Sequence, residues 1–314
     1  MAPSPTGALH LGNARTFLVN WALARQRRWR VAMRIEDLDG PRVKPGAQAE
    51  ALDVLAWLGL DWDGPVLEQS RDLRPYRQAL ARLGEAGLIY PCRCTRREIE
   101  QAQSAPHEEG AELRYPGTCR PPAGVGVVDV PAPATDTDAV AWRLRVPAGA
   151  IAFDDAVAGP QRFDVLAELG DFVVATKQGL PAYQLAVVVD DMRQGVTDIV
   201  RGDDLLASAA RQLRLYELLD PAAPRPTYHH LPLVVGPDGR RLAKRHGDTR
   251  LTTYREHGVA PQRIVGLIAR WCGVVSRPME MSAAAFADAF EPARLPREPI
   301  VMTPEDERWL LSQS

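Results

Sequence analysis

Residues 2–13 read Ala-Pro-Ser-Pro-Thr-Gly-Ala-Leu-His-Leu-Gly-Asn. Prolines and glycines break any regular element here. Phe17, Leu18, Trp21 and Ala24 then recur at three-to-four spacing, which predicts an amphipathic helix over 14–28. A glycine-containing turn that opens a helix has a chemical consequence. The free N–H groups and the positive end of the helix dipole face the turn, and glycine lets its backbone approach a ligand closely. A nucleoside triphosphate suits such a place. His10, between Gly7 and Gly12, would donate to the α-phosphate as charge builds up there in a transition state. Thr6, Gly12 and Asn13 complete the proposed nucleotide loop. His-x-Gly by itself fits an incidental histidine in a turn equally well, so the rest of the chain decides.

Working outward, Val31–Ile35 is a short apolar run before acidic residues and Gly40-Pro41, and reads as a buried strand. Residues 46–60 (Leu52, Leu55, Leu58) and 73–87 (Tyr76, Leu80, Leu83) return to helical period. Strands alternating with helices predict an α/β fold, a Rossmann-like and mostly parallel sheet that binds ligands at the carboxyl ends of its strands. Cysteines, prolines and glycines dominate from Tyr90 to Val146, which reads as an insertion between two halves of the sheet, 1–89 and 147–250. Ala141–Val146 alternates like a strand. Leu185–Val189 is continuously apolar and β-branched, as expected of a central parallel strand. Residues 205–219 form another helix, and 251–314 reads as helical throughout. There is no internal repeat.

The bulk composition excludes some classes. With 314 residues, 46% hydrophobic and 25% charged, the chain has room for a sizeable core. A net charge of −2 is no general attraction for polyanions, so nucleic-acid binding would use local patches. Arg25-Gln-Arg-Arg-Trp-Arg30 is one, although cations at a helix C-terminus suit the dipole without any ligand. No apolar run approaches the roughly 18 residues of a membrane span, and the N-terminus is not a signal peptide, so a cytoplasmic protein without membrane partners is expected. Four cysteines do not make a disulfide framework. Cys272 reads as a buried thiol. Cys92-Arg-Cys94 with Cys119 reads as a three-thiolate site, and soft thiolates favour one zinc ion. His107 is the fourth ligand that ordinary chemistry nominates. The zinc is expected to be structural, stapling a loop-rich module too small to fold on its own core.

A second signature, Arg241-Leu-Ala-Lys-Arg245, follows the turn Gly236-Pro-Asp-Gly239. Lys244 is a compact, mobile cation suited to the β- and γ-phosphates of ATP, with Arg241 and Arg245 beside it. Between the two signatures stand Arg34-Ile-Glu-Asp-Leu-Asp39, Val187-Val-Val-Asp-Asp191 and Ile199-Val-Arg-Gly-Asp-Asp-Leu205. In this order the motifs resemble the glutamyl-tRNA synthetase family of class I aminoacyl-tRNA synthetases, whose ATP signatures are called HIGH and KMSKS. The resemblance covers nearly the whole chain. It implies a ligase that forms an aminoacyl adenylate from ATP with Mg²⁺, with His10 and Lys244 catalytic and Arg241 binding ATP. It places glutamate on Ala2, Ser4, Glu36, Tyr183 and Arg201. Glu36 would pair the substrate ammonium, and the planar fork of Arg201 would grip a carboxylate. It also nominates Tyr115, with Cys92, Cys94 and Cys119, as a zinc ligand. One departure is Ala243, where the family has serine.

Two further departures bear on the branch of the family. Relatives usually begin Arg-Phe-Ala-Pro-Ser. Met1 takes the phenylalanine position here, so the expectation is a start placed too late, with the first strand cut short and a carboxylate-binding arginine missing. Full-length members also continue into a helical anticodon-binding region, whereas this sequence stops at Ser314, after a segment of the stem-contact kind. Tyr183–Asp191 lacks their Phe-Ala-Asn wording. With the zinc set, this resembles the truncated branch that activates L-glutamate without tRNA and transfers it to the queuosine base in the anticodon of tRNA(Asp). A monomer is expected. Two alternatives stay open: the catalytic fragment of a discriminating glutamyl-tRNA synthetase, or a catalytically silent tRNA- or zinc-binding paralogue.

Overall fold

The computed structural model describes residues 1–101, 114–122, 140–240, 242 and 248–312. It opens on helix α1 (Leu11–Gln26), whose burial of Leu11, Ala14, Leu18, Val19 and Ala22 fixes it in the interior. Strand β1 (Arg34–Ile35), helix α2 (Ala47–Trp57) and strand β2 (Leu67–Glu68) follow, with β1 and β2 parallel. Only two residues of the expected strand 31–35 form a ladder, and at its start a side chain takes the place of a backbone partner. Val31 N–H donates to the Asp63 carboxylate, and Leu67 N–H donates to the Met33 carbonyl. On the other side, Arg34 N–H and Glu36 N–H donate to the carbonyls of Met1 and Pro3, at 3.0 and 3.1 Å.

Helix α3 (Arg74–Glu85) leads into β3 (Ile89–Cys92) and α4 (Arg96–Gln101). Strands β4 (Ala141–Leu144), β5 (Ala150–Asp155), β6 (Gly159–Asp164) and β7 (Val173–Ala175) are antiparallel, as the sheet β3-β4-β7 and the hairpin β5-β6. Helix α5 (Tyr183–Gln194), strand β8 (Asp198–Gly202), helix α6 (Leu206–Leu219) and strand β9 (Thr227–Leu231) restore α/β alternation, and β8 runs parallel to β9. The molecule is mixed α/β with parallel pairs rather than one mostly parallel sheet.

The expected central strand at Leu185–Val189 is corrected: it is the middle of α5. Leu185 to Asp191 are all buried. A continuous apolar run fits a helix enclosed on all sides as well as it fits a central strand, and tertiary enclosure overrides β-propensity. The turn that ends the helix is visible in the sequence. Gly195 adopts φ +63° as a left-handed cap, its N–H donating to the Met192 carbonyl, which is how a helix stops.

After β10 (Val234–Val235) come α7 (Leu251–Glu256), α8 (Pro261–Trp271), α9 (Ala283–Ala289), β11 (Ile300–Val301) and α10 (Pro304–Leu311). The segment after 250 is therefore not helical throughout. Pro292, Pro296 and Pro299 interrupt it, and β11 pairs parallel with β10. Two large cores result. One joins α1 and α2 to α7–α10, and the other joins α3, α5 and α6 to β4 and β7. Among the described residues no helix is long and apolar enough to cross a membrane.

Candidate active site

Helix α1 begins one residue after His10, which is its N-cap. The His10 Nδ1 accepts from Gly12 N–H at 3.1 Å, while His10 N–H donates to Asn13 Oδ1 at 3.1 Å. Two otherwise orphaned N–H groups are satisfied by this reciprocal cap. With Nδ1 accepting, a neutral His10 carries its proton on Nε2. Gly12 leaves room for this fold of the ring. A Cβ there would lie 3.0 Å from His10 Cε1 and 3.1 Å from Nδ1. Leu9 and Leu11 are stitched to the stretch beyond the second signature: Leu11 N–H donates to Thr249 O at 3.1 Å and Leu251 N–H to Leu9 O at 2.9 Å. Arg241, Ala243, Lys244 and Arg245, and also His107, lie outside the described residues.

A cavity of about 850 Å³ opens beside this helix start. Thr6, His10, Gly12 and Asn13 line it, and so do Ala2, Ser4, Glu36, Tyr183 and Arg201. Every described residue nominated for ATP or glutamate therefore meets in one place. The helix α5 explains how its members converge. Tyr183, Val187, Asp191 and Gln194 all line the cavity, at spacings of four, four and three residues, one face of a helix and not the alternating face of a strand.

The acidic end of the cavity is a network around Arg34. Its Nη1 donates to Asp191 Oδ1 at 2.7 Å and to Gln194 Oε1 at 3.0 Å, and its Nη2 donates to Glu36 Oε1 at 3.2 Å. Ser4 Oγ donates to the second oxygen of Glu36 at 3.4 Å. Arg34 and Glu36, two apart on extended backbone, share a face. Burial pushes the Glu36 carboxyl above its usual range, and Arg34 only partly opposes this. Two carboxylates pair with one guanidinium there. Asp190 is turned away and is structural, accepting from Tyr76 OH and Gln69 Nε2, each at 2.8 Å.

At the other end Arg201 has only neutral partners: His230 Nε2 at 3.0 Å, Gln212 Oε1 at 2.9 Å and the Leu205 carbonyl at 3.3 Å. It forms no ion pair among the described residues. A half-buried cation that lacks an anion suits a carboxylate ligand.

Away from the cavity, the sulfur atoms of Cys92, Cys94 and Cys119 lie within 4.8 Å of one another. The Tyr115 phenol joins them. Its oxygen accepts from Cys119 N–H at 2.7 Å and lies 3.5 Å from Cys92 Sγ and 3.8 Å from Cys94 Sγ. Three thiols and a phenol converging on one point can hold a metal ion. Arg143 Nε donates to Cys92 Sγ at 3.2 Å, and the guanidinium stacks 3.8 Å over the Tyr115 ring. Cys272 is buried at the end of α8, as expected.

Comparison with known proteins agrees with this geometry. The family model of the catalytic domain of class I tRNA synthetases (E and Q) matches residues 1–292. The chain belongs to that family. A Glutamyl-Q tRNA(Asp) synthetase from Rhodopirellula baltica is 44% identical over 96% of this chain and 95% of its own length. A glutamate--tRNA ligase from Nitratidesulfovibrio vulgaris is 42% identical over 86% of this chain but only 56% of its own length. The crystal structure of a glutamate-tRNA synthetase from Elizabethkingia anophelis superposes with a TM-score of 0.78 at 25% identity, over 98% of this chain and 68% of that one. The chain is thus a ligase with the class I synthetase catalytic fold.

In this synthetase several residues that line the cavity, or hold its lining side chains, carry no signal of their own in the sequence. Arg34 sits inside a motif quoted above, yet its pairing with Asp191 spans 157 positions. His230, Gln212 and Asp155 belong to no motif. The basic stretch 25–30 proves to be mainly a helix end: Arg25 pairs with Asp61 and Asp63 at 2.8 and 2.9 Å, and Arg27 stacks 4.8 Å over Trp29.

Proposed function

We propose that this synthetase activates L-glutamate with ATP and Mg²⁺, without needing tRNA, and transfers it to the queuosine base in the anticodon of tRNA(Asp). The observation that carries this is the match to the Rhodopirellula protein across nearly the whole of both chains, whereas the longer ligase is matched over little more than half. The cavity supports the first half of the reaction. Glu36 with Asp191 receives the substrate ammonium, Arg201 holds a carboxylate, and Tyr183 and Ala2–Ser4 flank them. The α-carboxylate attacks the α-phosphorus in line, a P–O bond forms, and pyrophosphate leaves with the electrons of the bond it breaks. His10 Nε2–H and Lys244, with Arg241 and the Thr6–Asn13 loop around the nucleotide, stabilise the charge. A hydroxyl of the queuosine cyclopentene ring then attacks the activated carbonyl, and AMP departs.

The test is transfer of labelled glutamate to tRNA(Asp) with and without queuosine, alongside glutamate-dependent pyrophosphate exchange in the absence of tRNA. Transfer that ignores queuosine overturns the proposal. Exchange that requires tRNA(Glu) points to a glutamyl-tRNA synthetase fragment, and no exchange at all points to a silent paralogue.

The role of Glu36 gives a pH dependence with a definite sign. Only the carboxylate pairs an ammonium. Burial raises the Glu36 pKa, so the neutral acid persists above the ordinary value of roughly 4.3. We therefore expect kcat/KM for glutamate to fall as pH is lowered, with a midpoint above that ordinary value. In Glu36→Gln it should be lower by about 10²-fold, the scale of one charge-assisted contact, and this acid limb should flatten. A variant with the wild-type profile would remove Glu36 from the site.

We further propose that Cys92, Cys94, Cys119 and Tyr115 hold one structural Zn²⁺, in a module bounded by residues 90–146 between catalytic halves 1–89 and 147–250. Zinc would cross-link the module, and no reaction step passes through it. Tyr115→Phe is expected to weaken zinc by ~10–100-fold in chelator competition. Full retention would transfer the fourth position to His107.

A further inference from the structure

We infer that His230, oriented by Asp155, is a positioning residue that fixes the Arg201 fork for the substrate carboxylate. This inference rests on the reading that Arg201 takes a carboxylate of glutamate. The imidazole lies between the two groups with its side chain fully buried, and so does the Asp155 side chain. His230 Nδ1 is 2.6 Å from Asp155 Oδ2, and His230 Nε2 accepts from Arg201 Nε at 3.0 Å. A guanidinium can only donate, so Nε2 must present its lone pair, and the ring proton must be on Nδ1, facing the carboxylate. The tautomer is thereby set from both sides.

Asp155 is itself immobile. It ends β5 and also accepts from the backbone N–H groups of Val157, Ala158 and His230, at 2.9, 2.8 and 3.1 Å. These donors and the imidazole hold its carboxyl down at about 2 in spite of burial. Its charge is therefore constant, and it is relayed to Arg201 only through a neutral ring. The Tyr228 ring, stacked 5.7 Å from the imidazole, blocks rotation.

The consequence is geometric. A guanidinium has five N–H donors in a fixed plane. His230, Gln212 and Leu205 occupy three of them, one on Nε and one on each terminal nitrogen. One N–H on each terminal nitrogen is left, two donors for a carboxylate. A carboxylate in place of His230 would satisfy Arg201 directly and compete with the substrate. An apolar side chain would leave Nε–H unpaired and let the fork swing. A neutral acceptor held by a remote carboxylate does neither.

The experiment measures L-glutamate affinity by calorimetry on the full chain, with ATP affinity and thermal midpoint as controls. His230→Phe keeps an aromatic ring against Tyr228 but removes the acceptor. We expect glutamate to bind at least 10-fold more weakly, with ATP affinity unchanged. His230→Gln restores a neutral acceptor and should recover most of the loss. Equal loss in both variants, or none in His230→Phe, overturns the inference. Arg201→Ala separates it from the underlying reading: if that variant binds glutamate normally, the Arg201 assignment fails. If Arg201→Ala fails to bind while His230→Phe binds normally, only the relay fails. A wild type that binds no glutamate overturns both. Should His230→Phe not fold, ¹⁵N spectra of histidine-labelled wild type decide. A neutral Nδ1–H tautomer at His230 is expected at neutral pH, and an Nε2–H tautomer or an imidazolium overturns the inference.

Discussion

Arg201→Ala is expected to raise KM for glutamate by about 10²- to 10³-fold, with a much smaller effect on KM for ATP. The magnitude follows from what the cavity holds. Arg201 lines it without an ion pair among the described residues, and its hydrogen-bond partners are all neutral. Removing one side of a buried ion pair costs about 3–5 kcal/mol, because the other charge is left desolvated, and each 1.4 kcal/mol is a factor of ten. Here the charge left behind belongs to the substrate, so the loss appears in binding. Arg201→Lys should recover only part of it. An ammonium supplies charge but not two parallel donors, and it cannot reach His230, Gln212 and Leu205 together. Steady-state pyrophosphate exchange at varied glutamate and ATP reads both constants. Equal changes in the two would mean that Arg201 supports the fold and not the substrate.

Gly266→Ala is expected to destabilise the protein by about 3 kcal/mol and to lower Tm by about 4–5 °C. Helix propensity argues the opposite way. Gly266 lies in the middle of α8, and alanine there should gain about 1 kcal/mol. Packing decides otherwise. A Cβ would sit 1.7 Å from the carbonyl oxygen of Met279 and 2.7 Å from its carbon. This neighbour is backbone, and it is pinned to the helix: Met281 N–H donates to Gln262 O at 3.0 Å, and Glu280 pairs with Arg263 at 3.6 Å. The strand of chain cannot withdraw without breaking these contacts. Thermal unfolding of the single variant is enough. An alanine protein as stable as wild type would show that the crossing at 279–281 is looser than described.

These cases mark what could be read from residues alone. Helix α1 and its ligand-facing start were legible, because glycines and an apolar stripe are local signals. The role of His10 Nδ1 as a cap was not, since it depends on how the ring folds back over Gly12. Glu36 and Arg201 were legible through their motifs. The pairings of Arg34 with Asp191 and of Arg201 with His230 were not, because they are made by chain segments far apart in sequence. Leu185–Val189 misled for a physical reason: an element enclosed on every side loses the polar positions that reveal its period. The cysteine spacing announced a cluster, but Arg143 against Cys92 comes from a strand 51 residues away.

The division into two cores has a consequence for how the molecule is made. The core around α3, α5 and α6 runs from Tyr76 to Tyr228 and is internally complete. The other takes Leu9 to Leu60 from the start of the chain and then waits for residues as late as Leu310. During synthesis at roughly 5–20 residues per second, several seconds separate the completion of the two. Helix α1 thus leaves the ribosome well before the residues that complete its core. Until then its apolar face, Leu18, Val19 and Ala22, has only the early part of that core to pack against. The helix capped by His10 here belongs to the core that is completed later, and the burden of keeping it soluble in the interval falls on the growing chain and its chaperones.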